Sequence, residues 1–124
     1  MALDLIAKFS VIKPLDLEEA KTIFEPFLAP DEKIQLAFTN VRDKVVFTDN
    51  KIIALDIQGL TGKKQDFRFF PYSKITSYSV ETAGTFDLDA DFKIWLSGVG
   101  CFEVKFSAAL DIKAIGSFIA NKVH

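Results

Sequence analysis

Few side chains in this sequence carry reactive chemistry, and each sits in the wrong company for it. His124 is the only histidine and the last residue, where chains fray, so a triad or metal role is not expected. Cys101 is the only cysteine, which excludes an intrachain disulfide and a cysteine-based metal site. It alternates with Phe102 and should point away from the core, with no histidine nearby in sequence to generate a thiolate. Gly59-Leu60-Thr61-Gly62-Lys63-Lys64 hints at a phosphate loop. That loop needs four residues between its glycines and a hydroxyl after the lysine to reach Mg²⁺; here two residues intervene and Lys64 takes the hydroxyl's place. A turn with solvated lysines is the expectation.

Asp87-Leu88-Asp89-Ala90-Asp91 looks like the start of a calcium loop, where alternating carboxylates converge on a hard cation. The sixth position of such a loop turns sharply on glycine and the twelfth is a bidentate glutamate, but Phe92 and Gly98 stand there. A solvated acidic loop ahead of a strand is expected, with weak cation binding by Asp87, Asp89 and Asp91 as the alternative. No general acid and base pair occurs at recognisable spacing. The sequence therefore predicts no catalytic residues, no cofactor, no metal site and no enzymatic activity.

The elements that position these residues must come from one domain, because 124 residues leave room for one core. Hydrophobic residues make up 49% and aromatic ones 13%, which excludes a disordered chain. A mean hydropathy of +0.21 is high for a small monomer with proportionally much surface, and suggests apolar surface covered by further copies. Fifteen basic against 17 acidic side chains, net −2, does not build the field that non-specific nucleic-acid or anionic-membrane binding needs. MALDLIAKFS has no apolar block of signal-peptide length, and no run approaches the ~20 apolar residues of a membrane span. A soluble, cytoplasmic protein is the expectation.

Along the chain, Leu3, Ile6 and Ala7 suggest a short first helix. Asp16 with Glu19 fits a helix N-cap, followed by Leu17, Ala20, Phe24 and Phe27 at helical spacing until Pro26 interrupts. From Lys33 the period becomes two. Ile34, Leu36 and Phe38 share a face; Lys44–Thr48 and Lys51–Gln58 follow, the latter with Ile53, Leu55 and Ile57 together. Lys64–Phe70 carries Phe67 and Phe69, Ile75–Glu81 is next, and two further strands place Phe92, Ile94, Leu96 and then Phe102, Val104, Phe106 inward. Ser107 or Asp111 caps a last helix bearing Leu110, Ile112, Ile115, Phe118 and Ile119, in which Gly116 implies a close approach to the sheet. The boundaries are a helical N-terminal extension over residues 1–28, a β-core over 33–107 and a helix over 109–122. Seven antiparallel strands and an amphipathic helix make a mainly β, helix-capped sandwich or open barrel.

The segments VRDKVVFTDNKIIALDIQGLTGKK, PYSKITSYSVETAGTFDLDADFKIWLSG and DIKAIGSFIANKV resemble the bacterial pleckstrin-homology-like domain family, and with LDLEEAKTIFEPFL the resemblance covers nearly the whole chain. QGLTGKK and SVETAGTFDLDA are its most specific parts. The resemblance implies two nearly orthogonal antiparallel sheets of about seven strands, with the C-terminal helix plugging one corner. It also implies assembly of single-domain members into cyclic homo-oligomeric rings, five-fold in form. It carries over no catalytic residues.

Eukaryotic pleckstrin-homology domains cradle phosphoinositides at the first strand–strand loop. Arg42 and Lys44 lie there, separated by Asp43, in a loop too short and too mixed in charge to wrap a multiply phosphorylated headgroup. Strong membrane or phosphoinositide binding is not expected. Trp95 should lie on an outer face, covered by the N-terminal helix with Phe24 and Phe27 or buried against a neighbour. The expected function is a non-enzymatic interaction module whose ring presents a polar surface to an unidentified protein, at Arg42, Asp43, Thr61, Lys63, Lys64, Glu81 and Thr82. A monomeric domain binding a peptide, small molecule or lipid headgroup is the alternative, with peptide addition to an edge strand as its mode.

Overall fold

The computed structural model describes residues 5–85 and 88–124. Strands β3 (Ile34–Thr39), β4 (Asp43–Thr48), β5 (Lys51–Gln58) and β6 (Lys64–Pro71) pair antiparallel in succession. The two-residue β2 (Lys13–Pro14) joins β3, giving the sheet order β2-β3-β4-β5-β6. The second sheet is formed by β1 (Leu5–Val11), β7 (Ile75–Glu81), β8 (Asp89–Leu96) and β9 (Gly100–Ser107), in the order β1-β9-β8-β7. Helix α1 (Leu17–Phe24) follows β2, and α2 (Ile112–Lys122) ends the chain. The seven strands expected from alternation are β3 to β9.

The expected first helix does not form. Leu5–Val11 is a strand, parallel to β9, with Ala7, Phe9 and Val11 opposite Phe102, Val104 and Phe106; Leu3 lies outside the described residues. Phe9 and Val11 are buried while Lys8 is exposed, so the alternating pattern of this stretch wins over its weak helical spacing. The N-terminal extension is thus strand first and helix second.

Between the sheets lies an aromatic core. Phe70 stacks on Phe102 with ring centroids 4.2 Å apart, and Phe38 meets Phe106 edge-on at 5.2 Å. Phe47, Phe92, Ile52 and Ile94 fill the space beside them, and Ile112, Ile115 and Ile119 of α2 close one end. Asp111, not Ser107, caps α2 by accepting from the Ala114 N–H at 3.1 Å. Gly116 is where the helix comes closest: a Cβ there would stand 3.2 Å from Cγ2 of Val80.

The five-stranded sheet is buried on both faces, which makes the molecule three layers deep. Its second face carries Ala37, Val46, Ile53 and Leu55, packed under Leu15, Ala20 and Phe24. Ile34 belongs to this side with Ile57, whereas Leu36 and Phe38 face the other sheet. The expectation that Ile34 shares a face with Leu36 and Phe38 is corrected by a break in register between Ile34 and Leu36, since one extra residue turns a side chain to the opposite face. Asp16 caps α1 by accepting from the Glu19 N–H at 3.1 Å, and the helix ends at Phe24, one turn of tighter 3₁₀ helix (Glu25–Phe27) carrying Pro26.

Candidate interaction surface

Two loops meet at one end of the five-stranded sheet because β3–β4 and β5–β6 are both hairpins that turn there. Asn40 builds the first: its Oδ1 accepts from the N–H of Arg42 at 2.7 Å and of Asp43 at 2.6 Å, while its amide donates to the Ser10 carbonyl. Gly59 and Gly62 shape the second, at φ +80° and +68°, where a side chain would be strained. Arg42 then ties the loops together. Its guanidinium donates to the carbonyls of Ile57 at 2.9 Å and Gly59 at 3.3 Å.

Arg42, Asp43, Thr61, Lys63 and Lys64 are therefore brought together by the fold. Thr61, Lys63 and Lys64 are exposed, and so is Arg42 apart from its clamp. The Asp43 carboxylate turns inward and accepts from the Ser10 N–H at 3.2 Å. Burial pushes its pKa up, assisted by Asp56 directly across on β5, and this outweighs the Ser10 hydrogen bond and the nearby charges of Arg42 and Lys44. Glu81 and Thr82 lie elsewhere, at the end of edge strand β7. Across the four-stranded sheet, Glu81 pairs with Asp91, Asp91 with Lys105 and Lys105 with Ser10, so two further strands separate Glu81 from the Asp43 contact on β1.

Val41 and Leu60, at the tips of these loops, are fully exposed. Sequence reasoning passed over both because an apolar residue in a turn breaks no periodic pattern; their turn neighbours were the only signal. The acidic stretch does not assemble a cation site. Asp87 lies outside the described residues, Asp89 is exposed, and Asp91 accepts from Lys105 at 3.0 Å. Among the described residues no cluster of three potential ligands is placed to hold a metal.

Trp95 lies half-buried on the outer face of β8, between Ser77 and Cys101. Cys101 shares that outer face, as expected, yet is buried, which raises its thiol pKa. Helix α1 does not cover Trp95. Its Phe24 and the following Phe27 pack on Phe67 of β6, with centroids 5.7 and 4.4 Å away, and Phe27 also meets Phe69 at 5.5 Å. The reason is the character of the two outer faces. The apolar face of the five-stranded sheet must be buried, whereas the other sheet shows solvent an ion-paired row, Lys8–Glu103–Lys93, with both contacts at 3.5 Å.

At the opposite end of the five-stranded sheet, charge is consumed internally. The buried Glu32 carboxylate accepts from Lys51 Nζ at 2.7 Å, the Ala29 N–H at 2.8 Å and the Thr48 hydroxyl. Burial alone would raise its pKa, but these bonds and the lysine charge hold it below the ordinary 4.5. The Tyr72 hydroxyl donates to the Thr48 carbonyl at 2.8 Å, and burial, with Asp49 and Glu32 nearby, pushes its pKa up.

Two stacked sheets, a helix plugging one end and a strand–helix lead-in define a pleckstrin-homology-like domain. The chain belongs to the bacterial PH domain family, matching it over residues 4–123. Its fold is that of a DUF1696 family protein with a pleckstrin-homology domain from Shewanella loihica, with a TM-score of 0.82 and 37% identity over 90% of this chain and 97% of that one. A pleckstrin homology domain from Shewanella amazonensis gives a TM-score of 0.73 and 38% identity over 90% of this chain and 91% of that one. In Bacillus subtilis (strain 168), the uncharacterized protein YjqA is 55% identical over 71 residues, which span 57% of each chain. The uncharacterized protein YozO of the same organism is 28% identical over 91% of this chain and 94% of its own length. No described helix is long and apolar enough to cross a membrane.

Proposed function

We propose that this chain is a non-enzymatic assembly and interaction module of the cytoplasm. It closes into a cyclic homo-oligomer, five-fold in form, and offers a protein partner a polar surface where neighbouring protomers meet, with Arg42, Asp43, Thr61, Lys63 and Lys64 from the hairpin end of one sheet and Glu81 and Thr82 from the edge of the other. The observation that carries this reading is the Arg42 clamp, which makes one fixed surface of two loops and holds Val41 and Leu60 out in water. Surface held in one conformation binds at lower entropic cost than a loop that must be ordered first. The strands β6 and β7 end their sheets with one neighbour each, and closed cyclic symmetry is a way to manage such edges. The chain's balanced charge supports a protein partner over nucleic acid or a membrane surface. Light scattering behind a sizing column, over a range of concentrations, tests it. A concentration-independent species near five protomers is expected; one at the 13.9 kDa protomer mass overturns the reading.

A second reading, a monomeric domain for a peptide, small molecule or lipid headgroup, is favoured by a cavity of about 560 Å³ beside β6, lined by Phe69, Phe70, Pro71, Leu96 and Val99. An extended peptide would add to the β6 edge there. Its signature is a stable monomer whose melting temperature rises with ligand.

A further inference from the structure

The cavities of this surface differ in how their charge is balanced. The cleft of about 370 Å³ between α1 and the start of β3 sets Glu18 and Asp31 against Lys21 and Lys33, and its Glu32 is spent on Lys51. The cavity of about 360 Å³ at the start of α2 has both Asp111 and Lys113 in its lining. The cavity of about 560 Å³ beside β6 is unlike either. Its apolar wall is Phe69, Phe70, Pro71, Leu96 and Val99, and Lys74 is the one charged side chain among the described residues that line it. Phe70 and Leu96 are buried, while Phe69 and Val99 stay 41% and 59% exposed, so apolar surface at this cavity faces water.

Three elements supply these groups: β6, the 3₁₀ turn Tyr72–Lys74 that follows it, and the turn of residues 97–99 between β8 and β9. Thr76 also lines the cavity, but its hydroxyl donates to the Trp95 carbonyl at 3.0 Å. Lys74 is exposed and enters no ion pair among the described residues, with Ser73 beside it in the lining. The backbone edge offers little here. The Tyr72 N–H donates to the Asn50 carbonyl at 3.2 Å, which fixes the phase of the β5–β6 ladder and turns the N–H and C=O of Phe69 off the sheet. The next outward position is Pro71, which has no N–H, so an added peptide strand would find its ladder interrupted at the cavity. Small-molecule sites measure about 300–1,000 Å³ and join apolar walls to a few polar groups. We infer that this cavity binds an amphipathic monoanion, an alkyl or aryl carboxylate, with its apolar body against Phe70, Leu96 and Val99 and its carboxylate at Lys74. The unopposed cation selects the sign of the ligand, and the apolar wall supplies most of the affinity. This inference deepens the small-molecule form of the second reading and rests on its cavity, not on the monomer.

Calorimetric titration of the full chain with octanoate, octanol and octyltrimethylammonium tests it, with the Leu96 and Val99 methyl signals in NMR spectra locating each. Octanoate should bind about fivefold more tightly than octanol, the range of one exposed ion pair, and octyltrimethylammonium more weakly than either. Hexanoate should lose about tenfold against octanoate, because two fewer methylenes are buried. Lys74→Gln should bring octanoate to the affinity of octanol and leave octanol unchanged, while Val99→Ser should weaken both alike. Both side chains are exposed, so neither change should alter the β-sheet circular dichroism. Octanol binding as tightly as octanoate, or a preference for octanoate that survives Lys74→Gln, overturns the inference and leaves the cavity an apolar site. If none of the three compounds moves the Leu96 or Val99 signals, the cavity of the second reading falls with it.

Discussion

The two ends of the five-stranded sheet solve the same problem in opposite ways. At the Glu32 end, a buried carboxylate is met by a lysine, a hydroxyl and a backbone N–H, so its charge is spent inside the fold. At the Arg42 end, one guanidinium bonds two backbone carbonyls while the lysines and two apolar side chains around it stay in water. A buried charge costs several kcal/mol unless it is paired, so the first end answers to stability. Exposed charge costs little, which leaves the second end free to answer to a partner.

Removing a partner at the buried end should have the largest effect. Glu32→Ala takes the carboxylate partner from Lys51 and the Ala29 N–H and should lower unfolding free energy by about 3 kcal/mol, read from the urea midpoint. An unchanged midpoint would remove the distinction between the ends. The same carboxylate sets a pH dependence. Because its folded pKa lies below 4.5, it stabilises the fold above that value and the contribution is lost as pH falls through the folded pKa. Glu32→Gln should therefore flatten the acid limb of stability against pH; a limb as steep as wild type would assign it to other carboxylates. The smallest effect is expected at the exposed end. Arg42→Ala should cost about 0.5–1 kcal/mol and speed amide exchange across residues 59–63, because the clamp holds loop geometry more than it holds the fold. A cost like that of Glu32→Ala would make the clamp a stability element instead.

The strands β3 to β9 were legible because alternation with a period of two is a local signal, and the cap of α1 because Asp16 precedes an apolar helical repeat, whereas Ser107 and Asp111 stood equal for α2 until the structure chose Asp111. Ala7, Phe9 and Val11 carry the same alternation in β1, but a single short run fits a helix turn nearly as well, and only pairing with β9 decides it. The surface was half legible. Polar residues in turns could be picked from sequence, yet Glu81 and Thr82 fell far from Arg42 because proximity across a sheet depends on strand order. Trp95 was placed on the right face of β8, but its cover could not be read, since that required knowing which sheet α1 would choose.

The sequence by itself determined the periodicities, the cap of α1 and the need for close approach at Gly116, because each depends on residues a few positions apart. Tertiary structure alone decided that β1 runs parallel to β9, that α1 covers the five-stranded sheet, and that Arg42 reaches Ile57 and Gly59. These depend on which distant surfaces bury the most apolar area together, a global balance that no local pattern of side chains encodes.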